Sequence, residues 1–218
     1  MSIIETQSSR AMDRIYKHQR RFYDLTRKYY LLGRDELLDA LQPAPEQSVL
    51  EIGCGTGRNL VAAAKRYPQA QMHGFDVSSE MLDTAGRSVV RAGLASRIRL
   101  GQADATQFSS NTLFGRDGFD RVFISYTLSM IPDWPAVLER AMEALAPGGE
   151  LHIVDFGQQA GLPSAFRRML YAWLTRFSVY PDAQLVPTLA ALAARQGLSL
   201  EVRHPWRGYA VSAVLRRP

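Results

Sequence analysis

The sequence predicts an α/β fold built on a mostly parallel sheet, and three observations predict it. Short runs rich in Val, Ile, Leu and Phe alternate with helix-patterned stretches from residue 47 to residue 155, the sequence form of βαβ units. Glycines cluster directly behind the first of these runs, in "VLEIGCGTGRN" (Val49 to Asn59). Two more β-rich runs close the chain and bring the strand count to seven.

Each element follows from its local pattern. Residues 1–42 read as basic and helical. Arg10, Arg14, Lys17, Arg20, Arg21, Arg27 and Lys28 share this stretch with Met12, Ile15, Tyr16, Phe22, Tyr23, Tyr29 and Tyr30, spaced three and four apart as one apolar face. The core, 47–155, runs "SVLEIG", "RNLVAAAKRY", "QMHGFDV", "SEMLDTAGRSVVRAG", "IRLGQADA", "FDRVFIS", "DWPAVLERAMEALAPGG" and "ELHIVDF". Residues 160–185 form an aromatic, arginine-rich helical insertion between Pro163 and Pro181. Residues 186–218 hold the helix "PTLAALAARQG" and the strands "LSLEVRHPW" and "GYAVSAVLRR". At 218 residues these zones make one domain, without internal repeats.

Composition excludes several classes. A single cysteine, Cys54, rules out an intramolecular disulfide framework and a cysteine metal cluster, and fits a reducing compartment. The first residues lack a signal-peptide core, and no run of about 18 apolar residues is present to span a bilayer. The expectation is a cytoplasmic protein, soluble or resting on the inner face of a membrane. A formal net charge of +5 favours anionic partners.

The glycine stretch carries the chemistry. Gly53, Gly55 and Gly57 fall between a strand and a helix, where bare backbone turns tightly and approaches a ligand at the carboxyl edge of a sheet. A dinucleotide site would show G-x-G-x-x-G; here the pattern is E-x-G-x-G-x-G, with Glu51 at the strand end. The next strand ends in "HGFDVS", placing Asp76 where a carboxylate accepts from both hydroxyls of a ribose, and "GQADA" puts Asp104 where it can accept from an adenine amino group.

Together, "EIGCGTG", "DVSSEML", "ADA" and "LAPGGELHIVD" resemble the class I S-adenosylmethionine-dependent methyltransferases. The resemblance implies a Rossmann-like mixed sheet with helices on both faces, antiparallel ending strands, and S-adenosylmethionine as cofactor without a metal. It further implies that Gly53, Gly55 and Gly57 meet the methionine part, Asp76 the ribose, Met81 the adenine face and Asp104 the adenine amino group. Glu51, Val77, Ala105 and Ser125 complete that set.

The acceptor is read from the segment after the fourth strand, "ISYTLSMIPDW", which lacks the N-P-P-Y motif of DNA amino methyltransferases. Methylating an amine requires positioning it, desolvating it and tolerating a cationic product. An aromatic face attracts such a cation by about 0.5–2 kcal/mol. Tyr126 is the ring expected nearest the methyl, with Trp134 further out or simply in the core. Asp155, ending "ELHIVD", either attracts and deprotonates an ammonium or makes a loop hydrogen bond. His152 reads as a structural histidine and Cys54 as a small-residue fit.

Basic helices with bulky apolar residues suit a membrane interface, both at the amino terminus and in residues 163–180 ("PSAFRRMLYAWLTRFSVYP" and its neighbours). The phrase "YDLTRKYYLLGRDELL" (Tyr23 to Leu38) resembles bacterial N-methyltransferases of betaine-lipid synthesis, which trimethylate the homoserine amine of diacylglyceryl-homoserine. The resemblance implies a lipid headgroup amine as acceptor. Phosphatidylethanolamine N-methyltransferases are the alternative. A soluble amine stays open, and a nucleic acid is disfavoured by the greasiness of both basic segments.

Overall fold

The computed structural model describes residues 31–218; the aromatic, basic helix expected over residues 10–28 lies outside the described residues. Strands β1 (Ser48–Ile52), β2 (Gln71–Asp76), β3 (Ile98–Gln102), β4 (Phe119–Ser125), β5 (Leu145–Phe156), β6 (Ser199–Arg203) and β7 (Ala210–Arg216) form one sheet in the order β3-β2-β1-β4-β5-β7-β6. The first five are parallel, and β7 runs antiparallel to both β5 and β6. The expected seven-stranded, mostly parallel α/β architecture is present.

Alternation along the strands divides the core in two. Leu50 and Ile52 of β1, Val122 and Ile124 of β4, and Leu151 and Ile153 of β5 join one cluster with α5 (Trp134–Glu143) and α7 (Leu185–Gln196). Val49, Phe123, Val154 and Phe156 point the other way. They join α1 (Arg34–Ala40), α2 (Arg58–Arg66), α3 (Ser79–Arg91) and α6 (Ser164–Thr175). Each fully buried Leu or Ile contributes roughly 1.5–3 kcal/mol, so covering both faces is what stabilises the parallel strands.

Glycine at one position makes this packing possible. A Cβ on Gly74 of β2 would come within 2.4 Å of Leu60 Cδ1 and 3.0 Å of Cys54 Cβ. Cys54 is buried against this strand, and burial raises its thiol pKa, which fits the small-residue role expected of it.

Three local readings change. The helix read through "LAPGG" stops at Glu143, and β5 begins at Leu145. Residues 146–149 bulge out between the pairs Phe119↔Leu145 and Arg121↔Glu150. A Cβ on Gly149 would lie 2.8 Å from Ala146 O and 2.9 Å from Phe119 O, so the bulge needs glycine there. A short α4 (Ser110–Phe114), capped by Ser109, stands between β3 and β4, where the sequence pattern shows no element. The strand read through "RHPW" ends at Arg203, because Trp206 and Arg207 adopt left-handed backbone before β7.

Candidate functional site

The pairs Ile52↔Phe75, Ile52↔Ile124 and Asp76↔Gln102 bring the carboxyl ends of β1, β2, β3 and β4 level with one another. A cleft of about 660 Å³ opens above that edge, within the usual range for a small-molecule or cofactor site. Ten of the residues expected at the site line it: Glu51, Gly53, Gly55, Asp76, Val77, Met81, Asp104, Ala105, Ser125 and Tyr126.

The glycine loop is shaped by what surrounds it. Gly53 has φ +70°, and a Cβ there would lie 2.4 Å from Thr127 Cγ2; Gly55 has φ 51° and donates its N–H to Asp76 Oδ2 at 2.8 Å. Gly57, φ +75°, is not in the cleft wall. It begins α2, and its missing side chain lets that helix approach α3, since a Cβ would lie 3.0 Å from Ala85 Cβ. Its role is helix contact rather than ligand contact.

Asp76 organises the turn into α3. Its Oδ1 accepts from Ser78 N at 3.0 Å, and Ser78 caps the helix by accepting from Met81 N at 3.3 Å. Met81 is thereby fixed on the cleft wall, with Met130 and Phe177 packed against it. Both bonds made by Asp104 fall on Oδ1, from Thr106 N at 2.9 Å and Thr106 Oγ1 at 2.7 Å.

Glu51 is the unusual group. It is 1% exposed; Asn59 Nδ2 donates to its Oε1 at 2.9 Å, while Oε2 is buried without a partner. Burial pushes its carboxyl up to about 8, and the charge of Asp76 adds to this; Asn59 and the Arg34 guanidinium pull the other way and lose. Arg34 is itself buried on the cleft wall. A buried acid and a buried guanidinium at one end of a cleft match the amino and carboxylate groups of an α-amino acid. Ser125 Oγ is a second buried atom on the wall without a partner.

Tyr126 follows β4 with φ 55°, held there because its N–H donates to Val154 O and its hydroxyl donates to Leu32 O at 2.5 Å. Its ring packs on Phe156 at 4.7 Å. Burial first, then the charge of Asp155, raises the phenol pKa far above its ordinary value, so Tyr126 stays protonated and acts as a ring and a donor, not as a base.

Asp155 is a correction to the active-site expectation. It lies outside the cleft, 1% exposed, with Oδ2 accepting from Ser129 N at 3.2 Å and Oδ1 from Phe156 N at 2.7 Å. The reason is strand parity: Phe156, one residue on, shares the face with Tyr126, so Asp155 points to the opposite face beneath the Leu128–Met130 turn. Trp134 is likewise in the core, donating Nε1–H to Asp182 Oδ2 at 3.2 Å. His152 is 2% exposed, bonded to Glu150 Oε2 at 2.9 Å, and burial lowers its pKa; it is structural, as expected.

Sequence reasoning passed over several lining residues, among them Leu31, Arg34, Thr127, Met130 and Asp133. Thr127 Oγ1 donates to Ser125 O at 3.3 Å and to Gly53 O at 3.5 Å, tying the fourth strand's loop to the glycine loop. Only Arg34 carried a signal: a lone cation in "LLGRDELL" that the helix pattern places on its buried side.

The comparisons join this geometry to known proteins. Residues 49–149 match a family model described as a methyltransferase domain. That stretch, a little under half of the chain, is what resembles a methyltransferase domain. Trans-aconitate 2-methyltransferase of Deinococcus radiodurans is 36% identical over 117 residues, which cover 53% of this chain and 41% of that one. Ubiquinone/menaquinone biosynthesis C-methyltransferase UbiE of Cereibacter sphaeroides is 31% identical over 142 residues, 64% of this chain and 53% of the relative. The chain thus spans about half the length of these curated relatives. Phosphoethanolamine N-methyltransferase 2 of Haemonchus contortus, solved with S-adenosyl-L-methionine, superposes with a TM-score of 0.68 at 20% identity, over 85% of this chain and 52% of that one. It shares the fold.

S-adenosylmethionine is the cofactor that the sequence resemblance implies, and the cleft fits it. The unpartnered Glu51 oxygen answers the cationic end of the molecule, and the side-chain-free approach at Gly53 leaves room for it. When bound it supplies an activated methyl group; the protein's part is to hold it and to present an acceptor in line.

Proposed function

We propose that the protein transfers methyl groups from S-adenosylmethionine to the amine of a lipid headgroup, with diacylglyceryl-homoserine as the acceptor and trimethylation to the betaine lipid as the outcome. In this reading Glu51, Arg34 and the backbone at Gly53 and Gly55 hold the methionine part. Asp76 takes the ribose beside Val77, and Met81, Asp104 and Ala105 take the adenine. Ser125 and Tyr126 border the methyl.

The observation that supports the acceptor is the composition of the wall next to Tyr126. Leu31, Met130, Ile131 and Pro132 give it an apolar surface, and Asp133 adds one carboxylate. An aromatic ring, one acid and an otherwise greasy wall suit a cationic headgroup attached to hydrocarbon. Asp155 is not available as a base, so the amine arrives neutral or loses its proton to water.

A second reading, methylation at carbon of an apolar ring, is favoured by the 31% identity to a quinone-biosynthesis C-methyltransferase. One experiment separates them. Purified protein with methyl-labelled S-adenosylmethionine is offered total lipid, RNA and protein fractions. Label in an amine-bearing polar lipid is expected. Label in a neutral aromatic lipid supports the second reading, and label in RNA or protein overturns both.

A further inference from the structure

Few large apolar side chains stand well out of the described surface, and most of those that do belong to one region. Phe166 (44% exposed) and Met169 (61%) project from the outer face of α6, Trp206 (39%) from the turn before β7, and Leu32 (36%) from the lip of the cleft. The three segments are joined. Gly161 N donates to Arg207 O at 3.1 Å, and Gln159 N to Gly208 O at 2.7 Å, tying the approach to α6 to the turn. The Trp206 ring lies so close over Gly33 that a Cβ there would come within 3.0 Å of it.

The turn is held in an unusual conformation. Trp206 (φ 52°), Arg207 (φ 58°) and Gly208 (φ 77°) are three consecutive left-handed residues, a region that side chains other than glycine rarely occupy. The hydrogen bonds above keep it so, and the result is an indole and a guanidinium presented together at the surface. Within the two segments themselves the charge has one sign, while Asp35 and Glu36 stand exposed just beyond Gly33. Residues 156–181 contain no Asp or Glu but include Arg167, Arg168 and Arg176, and residues 202–218 contain no acid either. Arg168 and Arg176 are exposed, on the same helical side as Met169 and Ala172.

The inner face of α6 connects this surface to the site. Leu170 and Leu174 are buried in the core, the Trp173 and Phe177 rings meet at a tilt with centroids 4.9 Å apart, and Phe177 packs on Met81 of the cleft wall.

We propose that the outer face of α6 and the Trp206–Arg207 turn dock the protein on an anionic lipid bilayer, with the cleft lip at the level of the headgroups. The proposal deepens the lipid-acceptor reading and rests on it for the orientation, although docking is measured without any acceptor. Exposed Phe, Met and Trp enter the interface while arginines meet the anionic headgroups. A polynucleotide would need aromatic rings laid flat along a cationic groove, whereas Met169 and Phe166 stand on a convex helix.

The test uses the full chain and two kinds of vesicle, phosphatidylcholine alone and phosphatidylcholine with phosphatidylglycerol. Wild type is expected to float with the second and not the first. Phe166→Ser with Met169→Ser, and separately Arg168→Gln with Arg176→Gln, should each lower partitioning by roughly tenfold or more, since each arginine near an anionic leaflet contributes about fivefold and two together about 25-fold. Neither pair lines the cleft, so S-adenosylmethionine affinity by calorimetry should not move, which also shows that the variants fold. Unchanged vesicle binding in both variants overturns the proposal, whichever other part of the chain binds. Wild-type protein that self-associates through Phe166 and Met169 and ignores both vesicles makes the face a contact between copies and overturns it too. Docking without methylation of any lipid would leave the surface standing and remove the acceptor; methylation of detergent-dispersed lipid without docking would do the reverse.

Discussion

Two acids stand near the same edge of the sheet, and their surroundings are opposite. Glu51 of β1 and Asp155 of β5 are each 1% exposed, and burial raises the pKa of both. Both oxygens of Asp155 accept backbone N–H groups, which makes it a brace for the Leu128–Met130 turn. One oxygen of Glu51 is left unsatisfied at a cleft. A buried acid at a strand end is therefore not a site by position alone; an acceptor without a donor, facing a cavity, is what marks one.

The largest expected effect tests the brace. Asp155→Ala strips the acceptor from two buried N–H groups and should cost about 2–4 kcal/mol of stability, read by denaturant unfolding, with S-adenosylmethionine affinity unchanged in the folded fraction. Stability within error of wild type, together with weakened cofactor binding, would reverse the assignment of the two acids.

Asp76 combines both roles, and Asp76→Ala should weaken the cofactor by about 1–3 kcal/mol, since a charged acceptor and the hold on the Gly55 N–H disappear together. Asp76→Asn should recover part of it. Calorimetry finding wild-type affinity in a folded Asp76→Ala protein would take Asp76 out of the site.

Glu51→Gln keeps the shape of the side chain and removes its charge, and about a tenfold loss of cofactor affinity is expected, near 1.4 kcal/mol. Its pH behaviour sharpens the contrast. The folded pKa, about 8, lies above the ordinary 4.5, so the folded state holds a proton that the unfolded state has released. That contribution to stability is fully present below the lower value and is lost as pH rises towards 8. The Gln variant should lack this slope. Near pH 7 wild type should also release close to one proton on binding the cationic cofactor, visible as a buffer-dependent binding heat; no buffer dependence would mean that Glu51 is already ionised.

What the sequence made legible was local. Gly53, Gly55, Asp76 and Asp104 were readable because strand ends and the turns behind them are set within a few residues, and the glycines have the positive φ that such turns require. Asp155 was not, because a strand covered on both faces carries no polar alternation to show which way a residue points. Arg34 and Thr127 reach the cleft only after α1 folds beneath the sheet and the loop after β4 crosses to Gly53. The exposed turn at Trp206 was hidden for a related reason: its left-handed conformation is imposed by hydrogen bonds to residues 157–161, not by its own sequence.

The smallest expected effect concerns Tyr126, where the fold and the acceptor side of the cleft meet. Tyr126→Phe removes a hydroxyl that holds the Leu32 carbonyl but leaves the ring on Phe156. The lost bond should cost about 0.5–1.5 kcal/mol of stability and leave cofactor affinity unchanged, because no cofactor contact is assigned to the hydroxyl. Methyl transfer should fall only modestly, through a looser lip at residues 31–33, and appear as a raised KM for the acceptor. Tyr126→Ala deletes the ring itself and should lose most of the turnover, since a cationic product would then lack its aromatic face. Left-handed backbone at this position is as strained for alanine as for tyrosine, so Tyr126→Gly serves as the control that relaxes the strain while still removing the ring. If Gly restores the turnover that Ala loses, backbone geometry rather than the aromatic face is what Tyr126 supplies. Equal, small losses in Phe, Ala and Gly variants would make it packing alone and shift the acceptor site along the wall towards Met130 and Asp133.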